Sequence, residues 1–199
     1  TATGGTAGSF LTVWPNGSPQ PNTSNLNFGP GQTIPNLVTV KVGLWGYVAL
    51  ANASGTVDVI ADVVGYYDDG SGPGDFFTGI TPTRLLDSRT PTGSWNGKLE
   101  AGARRDLVVR KPGNGAGVPS TATAIVANVT ATSATAASFV SVWPAGVPQP
   151  TVSNLNFGPG QTIPNLVTVQ LPLFGLIKLY NQQGTVDVIA DAVGYFAAV

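Results

Sequence analysis

The chain has no cysteine, no histidine and no methionine, and only 10% of its 199 residues are charged. Without cysteine there are no disulfides, thiolate metal sites or thiol nucleophiles. Without histidine the usual general base and the commonest metal ligand are gone. The nine Lys and Arg are scattered against ten Asp and Glu, for a net charge of −1, so no basic stripe offers itself to nucleic acid or to an anionic membrane surface. No apolar run approaches the roughly 20 residues of a transmembrane helix. A single Glu, Glu100, lies in the turn-like KLEAG and reads as solvated. These absences predict a chain that is not an enzyme and has no catalytic residue, no metal, no cofactor, no nucleic-acid partner and no membrane insertion.

Glycine (26) and proline (16) are abundant, and 42% of residues are hydrophobic. The apolar residues fall in short alternating runs, the pattern of many strands joined by tight turns and enough to bury a core. SFLTVW (Ser9–Trp14) places Phe10, Thr12 and Trp14 on one face. Further strands are expected at 25–28, 37–42, 47–50, 56–67, 83–87, 105–109 and 121–132, with turns at Gly29–Gln32 and Asn52–Gly55. No segment carries a helical period with caps. The predicted fold is all-β, an internally duplicated β-sandwich or jelly roll. The Thr/Gly/Asn/Pro-rich composition points to an extracellular or cell-surface location.

The duplication is the strongest signal. SNLNFGPGQTIPNLVTV stands at 24–40 and again at 153–169, and Trp14, Asn52 and Tyr66 match Trp143, Asn181 and Tyr195 at the same offset of 129. Repeat B therefore occurs at 1–67 and, without a gap, at 130–196. Between the copies lie a linker, DDGSGPGD (68–75), and segment A (76–129), which occurs once. The expected domains are a partial repeat at 1–67 and a complete one, A followed by B, at 76–199. A chain that starts at Thr1 with half a domain reads as a processed product or a piece of a longer array. Otherwise its first B is completed by strands from elsewhere, which would make it self-associating.

PTRLLDSRT, ANVTAT, the SNLNFGPGQTIPNLVTV core and GTVDVIAD followed by VGYY or VGYF together resemble a repeat module of secreted actinobacterial proteins. That module is found in tandem or appended to extracellular hydrolases and surface proteins. The resemblance spans essentially the whole chain and implies an accessory role. It brings no catalytic or ligand residue with it.

The few charges concentrate in two motifs. In GTVDVIAD, Asp58 and Asp62, and likewise Asp187 and Asp191, share one face of a strand. At about 13 Å apart they are too distant for a glycosidase pair or a shared metal. In PTRLLDSRT, Asp87 sits between Arg84 and Arg89. The expectation is a structural ion-pair network in which both arginines reach the carboxylates of repeat B, with Arg84→Ala strongly destabilising if it leaves a buried partner alone. The DDGSGPGD linker lacks the ligand spacing of a Ca²⁺ loop.

Trp95, in the polar loop PTGSWNG, and Trp45, matched by Phe174 in the other copy, are candidates for stacking on a sugar ring. Two functions follow. One is a non-catalytic structural or self-associating module: a spacer, surface-layer or filament subunit whose partners are other copies of itself or neighbouring repeats. The alternative is a carbohydrate-binding accessory domain of a secreted hydrolase, with polysaccharide as partner.

Overall fold

The computed structural model describes residues 1–68, 70, 72–93, 95–110 and 117–198. Parts of the expected linker and of the turn-rich PGNGAGVPS lie outside the described residues. The chain divides into two compact units, Thr1–Ala61 and Asp62–Val199; the break falls ahead of the end of repeat B rather than at the linker.

The N-terminal unit holds β1 (Ala2–Thr3), β2 (Ser9–Pro15), β3 (Leu26–Phe28), β4 (Val48–Asn52) and β5 (Asp58–Val59), with one turn of 3-10 helix at Leu44–Gly46. The C-terminal unit holds β6 (Phe76–Asp87), β7 (Arg104–Val108), β8 (Ala124–Thr132), β9 (Ser138–Pro144), β10 (Leu155–Phe157), β11 (Ile163–Gln170), β12 (Leu176–Asn181) and β13 (Asp187–Ala197). All strand pairs are antiparallel. The first of these eight strands pairs with the last, β6 with β13, then β7 with β12, β8 with β11 and β9 with β10. Further pairing of β8 with β13 and of β9 with β12 rolls this nested hairpin into two four-stranded sheets, β11-β8-β13-β6 and β10-β9-β12-β7. That strand order is a jelly roll.

Alternation along the strands builds the core. Val188, Ala190 and Ala192 of β13, Val167 and Val169 of β11, and Ile177 and Leu179 of β12 all join one buried cluster. Asp187 and Asp191 lie on the opposite face of β13. Asn181 closes the turn after β12: its side-chain amide donates to the carbonyls of Gln183 and Gly184, each at 3.0 Å, and its oxygen accepts from Ser138 Oγ at 2.7 Å. The turn needs Gly184, at φ +59°, because a Cβ there would stand 2.7 Å from Thr135 Oγ1.

The first copy repeats this local structure wherever its neighbours are present. Leu11 opposes Leu26 and Asn52 as Val140 opposes Leu155 and Asn181. Ser9 Oγ donates to Asn52 Oδ1 at the same 2.7 Å. Two expected strands, however, do not form. No strand covers 37–42, although residues 34–40 are identical to 163–169 of β11, and the expected 56–67 shrinks to Asp58–Val59. The topology explains both. In the jelly roll, the counterparts of these two segments are held on either side of β8, and of the equivalent strand the first copy has only Thr1–Thr3, the counterparts of Thr130–Thr132. The sheet β3-β2-β4 survives because there segment A contributes only the edge strand, β7.

Identical sequences in two contexts give a direct check. Amide hydrogens of Val167–Val169 are expected to exchange at least ~10²-fold more slowly than those of Val38–Val40. Equal protection would show that these residues form a strand without a partner.

Candidate functional site

Five charged residues, Arg84, Asp87, Arg89, Asp187 and Asp191, gather where β6 of segment A meets β13 of repeat B. Asp191 opposes Arg84 in the register of the two strands. Arg84 donates through Nε and Nη2 to the Asp191 carboxylate and through Nη1 to Asp87 Oδ2 at 3.1 Å. Arg89 does not reach repeat B as expected. The chain turns sharply after β6, where Thr90 N donates to the carbonyl of Asp87 at 3.0 Å, and this folds the Arg89 side chain back onto Asp87. Its Nε and Nη2 donate to the two carboxylate oxygens at 2.8 Å each, and its backbone N–H adds a third bond at 3.1 Å. Asp87 is buried. The Arg89 hydrogen bonds, reinforced by the charge of Arg84, hold its carboxyl at about 2, against an ordinary 3.8. The guanidinium groups of Arg84 and Arg89 are correspondingly raised by their hydrogen bonds to Asp191 and Asp87.

Asp187 is served by two residues that the spacing argument missed. Ser88 Oγ donates to its Oδ1 at 2.9 Å and accepts from the Val188 N–H at 2.9 Å, so one hydroxyl just past β6 holds both a side chain and a backbone group of β13. Lys98 Nζ lies 3.6 Å from Asp187 Oδ2 and donates to the carbonyl of Ser133 at 2.7 Å. Ser88 stands inside LLDSRT, but that motif draws notice for its charges and the hydroxyl is passed over. Lys98 carries no local signal, since only the fold brings it to Asp187.

Asp58 and Asp62, the same residues in the first copy, are exposed, and among the described residues neither has an ion-pair partner. The carboxylates therefore share a sequence but not an environment.

A shallow groove of about 630 Å³ runs beside the cluster, between Arg89, Trp95, Asn96, Lys98 and Asp187. Its chemistry is limited. Ser88 Oγ donates to the Asp187 carboxylate, but the residue is buried and its oxygen already accepts from the Val188 N–H. Asp87 is committed to two guanidinium groups, and its lowered pKa makes it a weak base. Among the described residues no three carboxylates converge in a way that could hold a metal ion.

The expected exposed platform at Trp95 is not there. Its ring is buried, its indole N–H donates to the Asp106 carbonyl at 2.8 Å, and the Arg105 guanidinium covers a face at 5.5 Å. The polar neighbours that suggested exposure are the rim of the groove. Trp45 is 82% exposed at the tip of the 3-10 turn, as Phe174 is at the matching tip of the second copy.

Replacing Asp87 by Asn is expected to cost about 2 kcal/mol at neutral pH. Because the carboxyl is depressed in the folded state, its contribution is complete above the unfolded pKa near 4. It disappears as pH falls toward 2. The gap between wild type and Asp87→Asn in urea unfolding should close between pH 5 and 2, and a constant gap would contradict the network. Arg84→Ala is expected to cost only about 1 kcal/mol, because the side chain is 43% exposed and Arg89 still holds Asp87.

No protein-family model and no curated protein matches this chain.

Proposed function

We propose that the chain is a non-catalytic, extracellular structural module that works by assembling with other repeats. The observation that supports this best is the difference between its two copies of repeat B. The residues that close a jelly roll in the second copy stand open in the first, and exposed strand edges with apolar faces are interaction surfaces. The charge cluster agrees with a structural role. Its carboxylates Asp87, Asp187 and Asp191 are engaged by Arg89, Ser88, Lys98 and Arg84 where segment A meets repeat B.

One observation favours a second reading, carbohydrate binding. Trp45 presents its ring to solvent at a turn tip, the placement that stacking on a sugar face uses. Trp95 is buried, so of Trp45 and Trp95 only Trp45 offers its ring, and a stacking ring without converging polar groups makes a weak sugar site.

Retention on cellulose, chitin and xylan, together with turnover assays on the same polymers, separates the readings. The structural reading predicts neither retention nor turnover. Retention abolished by Trp45→Ala would replace it with the carbohydrate-binding reading. Turnover abolished by Asp187→Asn would overturn both.

A further inference from the structure

Among the described residues, the two sheets of the C-terminal unit end in the edge strands β11, β6, β10 and β7. Three of these edges are poorly suited to a further strand. β10 has only three residues, and β7 carries Arg104, Arg105 and Asp106. β6 carries Arg84 and Asp87 and shifts register against β13. Short, charged or irregular edges resist strand addition. β11 is different. Its eight residues run in unbroken register with β8 and none is charged; residues 112–177 carry no charge at all.

The ladder fixes which backbone groups of β11 are open. Alternate residues of an antiparallel strand direct their N–H and C=O toward the same neighbour. Leu171 N, just past β11, donates to the Thr123 carbonyl at 2.6 Å. In the first copy Ala2 and Ile34, the counterparts of Ala131 and Ile163, exchange both backbone bonds at 3.0 Å. Ile163, Asn165, Val167 and Val169 therefore bond to β8, and Pro164, Leu166, Thr168 and Gln170 turn their backbone groups outward. Pro164, which has no N–H, stands at an outward position, where an edge strand tolerates it. The side chains alternate as well: Asn165, Val167 and Val169 are buried, and Pro164, Leu166 and Gln170 are exposed.

We propose that the edge of β11 is a self-association site, at which β11 of a second copy of this chain adds antiparallel about a two-fold axis and joins two four-stranded sheets into one. The proposal rests on the reading of the chain as an assembling structural module and names one surface and its partner. β11 is self-complementary in this pairing. With Val167 of one copy opposite Val167 of the other, Leu166 meets Thr168 on both sides of the axis, and each such pair exchanges both backbone bonds. Gln170 lies opposite Pro164 at either end, so its N–H meets the Pro164 carbonyl and the missing N–H falls at the margin. Buried faces continue into buried faces, as the pleat requires, and Leu166 gains Thr168 as a cross-strand neighbour. A two-fold axis brings like charges together wherever a strand carries them, and β11 has none to repel its copy. Such an isologous contact closes on itself.

Sedimentation of the full-length chain from about 5 µM to about 500 µM covers the range of a weak contact. The expected result is a monomer–dimer equilibrium. Exchange of the Leu166 and Gln170 amides, which point away from β8, should slow about threefold or more across that range, while Val167 and Val169 are already slow at the dilute end. Leu166→Lys puts a charge on the edge at an exposed position, and Thr168→Pro removes an outward N–H while sparing the bonds to β8. Each is expected to weaken dimerisation at least about tenfold. Four results overturn the proposal: a monomer at every concentration; a dimer that survives both substitutions; association without slower exchange at Leu166 and Gln170; or species that grow beyond the dimer, the mark of a head-to-tail contact. A monomer that neither binds nor cleaves polysaccharide would leave the structural reading standing without this surface. Retention on polysaccharide abolished by Trp45→Ala, with the dimer intact, would remove that reading and leave the surface.

Discussion

The backbone ladder along Ala124–Thr132 is the constraint on which the rest of the fold depends. β8 lies between β11 and β13, satisfying N–H and C=O groups on both sides, and its side chains Ile125, Ala127, Val129 and Ala131 enter the core. A buried or half-buried strand with unpaired backbone groups is costly, so removing a central strand undoes both neighbours, whereas removing an edge strand undoes neither. That asymmetry accounts for the N-terminal unit. It lacks most of a β8 equivalent and keeps the sheet β3-β2-β4, where segment A contributes only an edge. It loses the strands that β8 would have held. Its remaining core is correspondingly small: Ala2, Leu11, Leu26 and Phe28, with Ile34 and Val57 packed against them.

The ion-pair cluster works on top of that ladder. Arg84 and Ser88 are on or beside β6, their carboxylate partners Asp191 and Asp187 on β13, and Asp87 takes both arginines at the end of β6. Partial exposure limits what each pair contributes to stability. What the cluster adds is register. A two-residue slip of β6 along β13 would keep every side chain on its proper face, so alternation alone does not forbid it, but it would separate Arg84 from Asp191 and Ser88 from Asp187.

Much of this was legible in the sequence. SFLTVW and LNF form strands in both copies, and the Asn-to-Gly turns at 52–55 and 181–184 close as their residues suggest, because these features depend on near neighbours in the chain. The strand in GTVDVIAD was equally legible, but its failure in the first copy was not, since a strand's own residues carry no record of whether its partner is present. Phe76–Pro82 was missed for a local reason. Pro82 argues against a central strand, yet β6 is an edge strand and Pro82 falls in an irregular stretch of its pairing with β13, where the missing N–H is tolerated. At the site, PTRLLDSRT and VDVIAD stood out because charge is so scarce. The distribution of the pairs, with Arg89 turned back on Asp87 and Lys98 brought to Asp187, depends on the turn after β6 and on tertiary packing.

The central claim is that repeat B completes its second sheet only when segment A supplies the strand between its two halves. The most direct measurement is amide hydrogen exchange on a chain in which a copy of residues 76–129 is joined ahead of Thr1, so that Val129 precedes Thr1 as it precedes Thr130. The account predicts that residues 34–41 and 58–67 acquire the protection of 163–170 and 187–196, while the second copy is unchanged. Continued fast exchange in the first copy, with the added segment present and soluble, would contradict it.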